Sequence, residues 1–332
     1  MSHSQHWNDE TLAVTLGRPP HIPGAPVNYP IGVSTTFVAG DAAHSYIRSG
    51  TVGTEALELA LGAIEHGMTT VFSAGIATVS AVIDLLPANA IVVAPNHAYP
   101  GTVGRMRELA NVGRIQLREV LISDTDAVIK ATDGAHLVWL ETPTNPLMEV
   151  ADIKAVVAAA KKSKALVAVD NTFMSPTRQR PLDLGADISM HSATKSIAGH
   201  SDVLMGALSV TDKELDEKIK MRRTMMGTIP GALECFLALR GLRTLSIRID
   251  RAENNAQFIA EKLAADNRVE RVLYVGLESD PGYALHHSQA SGAGAVVCFI
   301  PKCDADKADL ICDTTQLWTH ATSLGGVEST ME

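Results

Sequence analysis

The segment ADISMHSATKSIAGHSDVLMGALSV, residues 186–210, sets two apolar runs on either side of a polar loop that carries Lys195. The first run, ADISMHS (186–192), delivers the chain to Ser192, Thr194 and Lys195; the second, VLMGALSV (203–210), carries it back into apolar surroundings. Five further short apolar runs precede them: TTVFS (69–73), AIVVA (90–94), IQLREVLI (115–122), AHLVWLE (135–141) and ALVAVD (165–170). Amphipathic stretches such as ADIKAVVAAAKK (151–162) separate several of these runs. Seven strands in βα order predict an α/β fold with a mostly parallel sheet covered by helices on both faces.

Around this centre the pattern changes. Residues 1–50 hold prolines at 19, 20, 23, 26 and 30 without a helical period, and read as an extended arm. After Val210 the chain turns helical, with DKELDEKIKMRRTMM followed by a run from Gly231 to Asp266 long enough for one helix linking two domains. A smaller α+β unit follows, built from VERVLYV (269–275), GAGAVVCFI (292–300) and DADKADLICDTTQL (304–317).

The bulk properties exclude several classes of function. At 332 residues and 46% hydrophobic the chain can bury a large core. A formal charge of −9, with no basic run longer than a pair, leaves no electrostatic footprint for nucleic acid or an anionic membrane surface. The N-terminal MSHSQHWNDETLAV lacks a signal-peptide pattern, and no apolar stretch is long enough to span a bilayer, so a cytoplasmic protein is expected. Cys235, Cys298, Cys303 and Cys312 form no CxxC pair, and no metal site is expected. Thr194-Lys195-Ser196 lacks the glycine-rich loop of a nucleotide site, and Gly199-His200-Ser201 is not a nucleophile elbow, since residue 203 is valine.

In an open parallel sheet, ligands collect at the carboxyl ends of the strands. The run at 69–73 leads into Ala74-Gly75-Ile76 at a helix start, whose free N–H groups suit an anion. The next strand reaches Tyr99; ETPTNP offers Asn145; ALVAVD ends in Asp170; ADISMHS ends in Ser192, Thr194 and Lys195. Taken singly, each has a plain structural explanation as a turn, a rim aromatic or a solvated lysine. Together they supply a phosphate cradle, a buried acid, a ring to stack and an amine able to form a Schiff base, which are the parts that hold pyridoxal 5′-phosphate (PLP).

ETPTNP, VDNTF, HSATKSIAGHSDVLMGA, ALRGLRTLSIR and SLGGVES, in that order, resemble the Cys/Met-metabolism (transsulfuration) family of PLP-dependent enzymes, from about residue 12 onward. The resemblance implies the aspartate aminotransferase-like fold (fold type I) and a homotetramer assembled as a dimer of dimers. It implies an arm over 1–50 that contributes to the neighbouring subunit's site, a large PLP-binding domain over 51–245, and a C-terminal domain over 246–332 that looks incomplete against the family. It further implies that Lys195 and Tyr99 are catalytic, with Lys195 bound to the cofactor and Tyr99 stacked on its ring. Asp170 would pair with the ring nitrogen, while Ser192, Thr194 and the N–H groups of Gly75 and Ile76 would hold the phosphate. Tyr46 and Arg48 would reach the neighbour's phosphate, and Asn145 and Ser323 would lie near the substrate carboxylate.

Three positions depart from the family pattern. Thr51-Val52-Gly53 replaces Asn-Pro-Thr after the Tyr-x-Arg of SYIRSG. Thr322 precedes Ser-Leu-Gly-Gly where γ-acting enzymes commonly carry Glu and many β-lyases an aromatic residue. The family's carboxylate-binding arginine, which follows SLGGVES by some tens of residues, is not matched within this sequence. The first expectation is a carbon–sulfur lyase of sulfur amino-acid metabolism, most like cystathionine gamma-lyase with beta-lyase activity alongside. The alternatives are a gamma-replacement enzyme (cystathionine gamma-synthase or an O-acylhomoserine sulfhydrylase) and a catalytically impaired PLP-binding subunit.

Overall fold

A computed structural model describes residues 7–40 and 44–332 of the chain. The strands β1 (Met68–Phe72), β2 (Ala90–Pro95), β3 (Ile115–Val120), β4 (Leu137–Glu141), β5 (Leu166–Asp170), β6 (Ile188–His191) and β7 (Gly206–Val210) stand where the apolar runs place them. They form one sheet in the spatial order β1-β7-β6-β5-β4-β2-β3. Strands β2 to β6 pair in parallel, and β7 lies antiparallel between β1 and β6. The sheet is therefore mostly parallel, as expected, and its carboxyl edge collects the loops after β4, β5 and β6.

Helices cover both faces: α1 (Asp9–Thr15), α2 (Val52–Ile64), α3 (Gly75–Asp84), α4 (Pro100–Asn111), α5 (Thr125–Ala131), α6 (Ile153–Ser163), α7 (Ser175–Arg178), α8 (Lys213–Met226), α9 (Ala232–Leu242) and α10 (Leu245–Ala264). Side chains alternate across the sheet. Trp139 of β4 joins Phe72, Val82 and Ile219 on one face, whereas its neighbours Val138 and Leu140 join Ile153, Val156 and Ala160 on the other. Helix α6 shows how the sequence builds such a layer. Its buried Ile153, Val156, Val157 and Ala160 follow the 3.6-residue period, Asp152 caps it by accepting the Ala155 N–H, and Lys164 ends it in a left-handed conformation. Each buried Ile or Val there contributes about 1.5–3 kcal/mol relative to exposure.

A third packing layer joins β1 and β7 to α2, α9 and α10, and takes in Ala193, Ile197 and Ala198 from the loop after β6. The lysine loop is thus part of the core and not a surface excursion.

Two expectations change. The arm is not extended throughout: Asn8 accepts the Thr11 N–H, Asp9 and Glu10 occupy the positive end of the dipole, and Ala13 is buried, which together form α1. The helical run between Gly231 and Asp266 is not one helix. It divides at Arg243-Thr244, where the Thr244 N–H and hydroxyl both return to the Gly241 carbonyl.

Beyond α10 lie β8 (Val269–Leu273), α11 (Tyr283–Gln289), β9 (Cys298–Pro301) and α12 (Ala305–Thr314), with β8 and β9 antiparallel, followed by the short pair β10 (Thr319–His320) and β11 (Thr330–Met331). Among the described residues no helix is long and apolar enough to cross a membrane.

Candidate active site

Strands β4 and β5 pair in a register that sets Glu141 opposite Asp170, so two carboxyl groups share one face at adjacent strand ends. Both are buried, at 5% and 6% exposure. Burial raises Asp170 above the usual carboxylate range, against the lowering effect of its bonds from Thr172. Burial, and then the neighbouring Asp170, push Glu141 up to about 8. Asp170 Oδ1 accepts both the Thr172 N–H, at 3.0 Å, and the Thr172 hydroxyl, at 2.5 Å. Among the described residues no hydrogen bond reaches Oδ2. That arrangement favours a cationic partner at the free oxygen.

Thr172 is also the link to the lysine loop. Its Oγ1 accepts the Ser192 N–H at 2.8 Å, and the Ser192 carbonyl accepts the Lys195 N–H at 3.0 Å. Asp170 and Lys195, which leave neighbouring strands, are therefore joined through Thr172 and Ser192. Burial lowers Lys195 below the usual lysine range, opposed by the Glu332 carboxylate. Its Nζ donates to Ser323 Oγ at 2.6 Å. Lys195 is half-buried and its amine is held by a hydroxyl. Ser323 can come so close because Gly325, at φ +84°, runs directly over the loop; a Cβ there would stand 2.6 Å from the Ser196 nitrogen.

Arg248 of α10 clamps the same loop from the other side. It donates to the carbonyls of Ser196 and Gly241, each at 2.7 Å, and of Ile197 at 3.4 Å. Among the described residues no carboxylate pairs with it, and burial lowers its pKa. His200 Nδ1–H donates to the Ala198 carbonyl at 2.8 Å and closes the turn.

The phosphate candidates fall into two groups. Gly75 and Ile76 open α3, where Ala74 provides no side-chain cap, so their N–H groups point outward from the positive helix end. A Cβ at Gly75 would meet Ser192 Oγ at 3.2 Å, which puts that hydroxyl beside the helix start. The Thr194 hydroxyl, in contrast, donates to the Met205 carbonyl at 3.1 Å and accepts the Met205 N–H at 2.9 Å, so its proton is engaged within the loop.

Tyr99 immediately precedes α4 and is 47% exposed. Its N–H donates to both oxygens of Glu141, at 2.9 and 3.1 Å, and the Asn145 N–H donates to Glu141 Oε1 at 2.6 Å. Tyr46 and Arg48 stay apart from this cluster. They lie on the arm, the guanidinium 5.2 Å from the Tyr46 ring centroid and the Arg48 carbonyl accepting from Thr224.

An amine of lowered basicity, a buried acid with a free oxygen, a row of anion-binding N–H groups and an exposed aromatic ring converge on one strand edge. This set fits a phosphorylated pyridine aldehyde. Sequence reasoning missed Glu141, Thr172 and Arg248. Glu141 carried the same signal as Asp170, a carboxylate closing a wholly apolar run, but the motif drew attention to Asn145.

The sequence matches the family described as Cys/Met metabolism PLP-dependent enzyme over residues 10–332. It is 41% identical over 310 residues to the cystathionine gamma-lyase of Dictyostelium discoideum, covering 91% of this chain and 80% of that one. It is 40% identical over 331 residues to the cystathionine gamma-synthase of Mycobacterium bovis, covering 97% and 85% respectively. The fold superposes with a TM-score of 0.94 on a crystal structure of cystathionine gamma-synthase from Xanthomonas oryzae pv. oryzae in complex with cystathionine, at 36% identity, covering 97% of this chain and 85% of that one.

Proposed function

The chain belongs to the Cys/Met metabolism PLP-dependent enzyme family and takes pyridoxal 5′-phosphate as its cofactor; from that premise we propose that it is a carbon–sulfur lyase acting by elimination on L-cystathionine. The observation that carries the reading is the bond from Lys195 Nζ to Ser323 Oγ at 2.6 Å, a partly buried amine of lowered basicity steered by a hydroxyl. Elimination needs one base that takes a proton from the substrate α-carbon and returns it nearby, and an amine held at this position is suited to both transfers. Bound PLP supplies the electron-withdrawing ring that makes the α-proton removable.

The chain's own residues divide the remaining work. Lys195 would hold the cofactor, and its amine would move the proton at the substrate α-carbon. Asp170, with Oδ2 free, would pair with the ring nitrogen. The N–H groups of Gly75 and Ile76, with Ser192 and Thr194, would hold the phosphate; Thr194 would have to turn from Met205 to do so. Tyr99 would stack on the ring and shield it from water, which would favour one reacting face. Asn145 and Ser323 orient the substrate carboxylate.

On this reading residues 51–245 form the cofactor-binding domain, 246–332 the C-terminal domain and 1–50 the arm that brings Tyr46 and Arg48 to a neighbour's phosphate in a homotetramer. The arm exposes Val27, Val33, Val38 and Tyr46, apolar area that a second copy would cover. The cysteines are free thiols, which suits the cytoplasm.

A second reading is gamma-replacement, favoured by the near-equal identity to the Mycobacterium bovis cystathionine gamma-synthase. Incubating the PLP-loaded protein with L-cystathionine should release ammonia and 2-oxobutyrate, with pyruvate as a lesser product. If product forms only from an activated homoserine plus a thiol, the lyase assignment is wrong and replacement is the activity.

A further inference from the structure

We propose that Glu141 is a positioning residue whose carboxylate ties the Tyr99 loop and the Asn145 loop into one unit beside Asp170. The proposal deepens the functional reading above and rests on it. Glu141 closes β4, a strand buried at every position, and its backbone is held by pairing with β5. From that rigid point its carboxylate accepts the Tyr99 N–H on both oxygens and the Asn145 N–H on Oε1. These N–H groups come from segments on opposite sides of β4 in the chain, one entering α4 and one in the turn after β4 itself. The strands that lead into them, β2 and β4, pair at Val92–Leu137 and Val93–Val138, and beyond that ladder the Glu141 carboxyl links the two loops.

Glutamine could not replace it, because a carboxyl in either protonation state keeps acceptor capacity on both oxygens. Glutamine offers one acceptor oxygen and turns an NH₂ group toward an N–H that needs an acceptor; alanine leaves two partly buried donors without that partner. Among the described residues no lysine or arginine neutralises Glu141, and its carboxyl is pushed up to about 8 by burial and by Asp170. A buried carboxylate without a cation is costly. Here the cost fits a role: the Tyr99 loop and the Asn145 loop hold their geometry best when positive charge is bound at the neighbouring Asp170, so that cofactor binding and loop order reinforce one another.

The test uses full-length wild type, Glu141→Ala, Glu141→Gln and Glu141→Asp, each loaded with PLP. Folding is checked by circular dichroism in the far ultraviolet, and the bound cofactor by its long-wavelength absorbance and induced circular dichroism. Glu141→Ala should keep the absorbance that reports attachment to Lys195, lose affinity for PLP by about tenfold, and raise KM for L-cystathionine by a similar factor, because the hydrogen bonds that position both loops are removed. The induced circular dichroism should weaken as Tyr99 loosens. Glu141→Asp, which keeps both acceptor oxygens on a shorter stem, should recover part of each loss, and Glu141→Gln should not. Unchanged PLP affinity, KM and induced signal in Glu141→Ala would overturn the assignment, as would losses confined to the melting temperature. Should Glu141→Ala not fold, the same readouts on Glu141→Gln and Glu141→Asp decide, with equal behaviour of those two counting against the proposal. Absence of any cofactor absorbance in the wild type would remove the functional reading itself, a failure distinct from unaltered binding in the variants.

Discussion

Ser323 accepts a hydrogen bond from Lys195 Nζ at 2.6 Å although 128 positions separate the two in the chain. The hydroxyl therefore restrains the amine that the proposed chemistry needs as a base. Ser323→Ala should keep the cofactor absorbance and lower kcat by about tenfold or more, the worth of one hydrogen bond to a charged group. Steady-state kinetics with the PLP-loaded protein check this, and an unchanged kcat would show that Ser323 is a bystander.

Removing the amine is a harsher change. Lys195→Ala should lose the long-wavelength absorbance of the lysine-bound cofactor and lower kcat by about 10²–10⁴-fold, the range of a deleted general base. Identical spectra for wild type and variant would end the assignment of Lys195.

Asp170 sits with one oxygen committed to Thr172. Asp170→Asn keeps the shape and the bond from the Thr172 hydroxyl but removes the charge opposite the ring nitrogen. Turnover should fall by about a hundredfold, in line with loss of a preorganised electrostatic group, and PLP should dissociate more readily on dialysis. Full activity would place the ring nitrogen elsewhere.

The carboxyl pair also fixes a pH dependence. Folded Glu141 binds its proton more tightly than the ordinary value of 4.5, up to about 8. Its contribution to stability is therefore full below about pH 4.5 and is lost as pH rises through about 8. Melting temperatures of the cofactor-free protein across that window should decline more steeply for wild type than for Glu141→Gln, which cannot titrate. Parallel curves would contradict the perturbed carboxyl.

Gly199 tests the loop clamp. Its φ is +72°, and a Cβ would fall within 1.9 Å of Arg248 Nη1. Gly199→Ala should destabilise the protein by about 2 kcal/mol or more, from strain and from displacement of the guanidinium. Urea denaturation measures the loss; a change within 0.5 kcal/mol, about that of an ordinary surface substitution, would mean that the loop shifts freely.

How much of this was readable beforehand depends on whether the signal was local. Apolar runs and helical periods sit within a dozen residues, so all seven strands, α6 and the strand-end residues Asp170 and Lys195 could be read directly. Short-range caps were less visible. Asn8 makes a helix of part of the proline-rich arm, and Thr244 breaks the long helical run, because one or two hydrogen bonds override a weak periodic pattern.

The amino-acid order by itself determined the alternation of strands and helices, and with it the sheet edge where the chemistry gathers. Only the tertiary structure decided which strand ends meet. Insertion of β7 between β1 and β6, the pairing of Glu141 with Asp170, and the approach of Ser323 and Arg248 to the lysine loop all depend on crossovers and register between distant segments. The physical reason is that periodicity records which face of an element is buried. Which other segment buries it is set by packing across the whole chain.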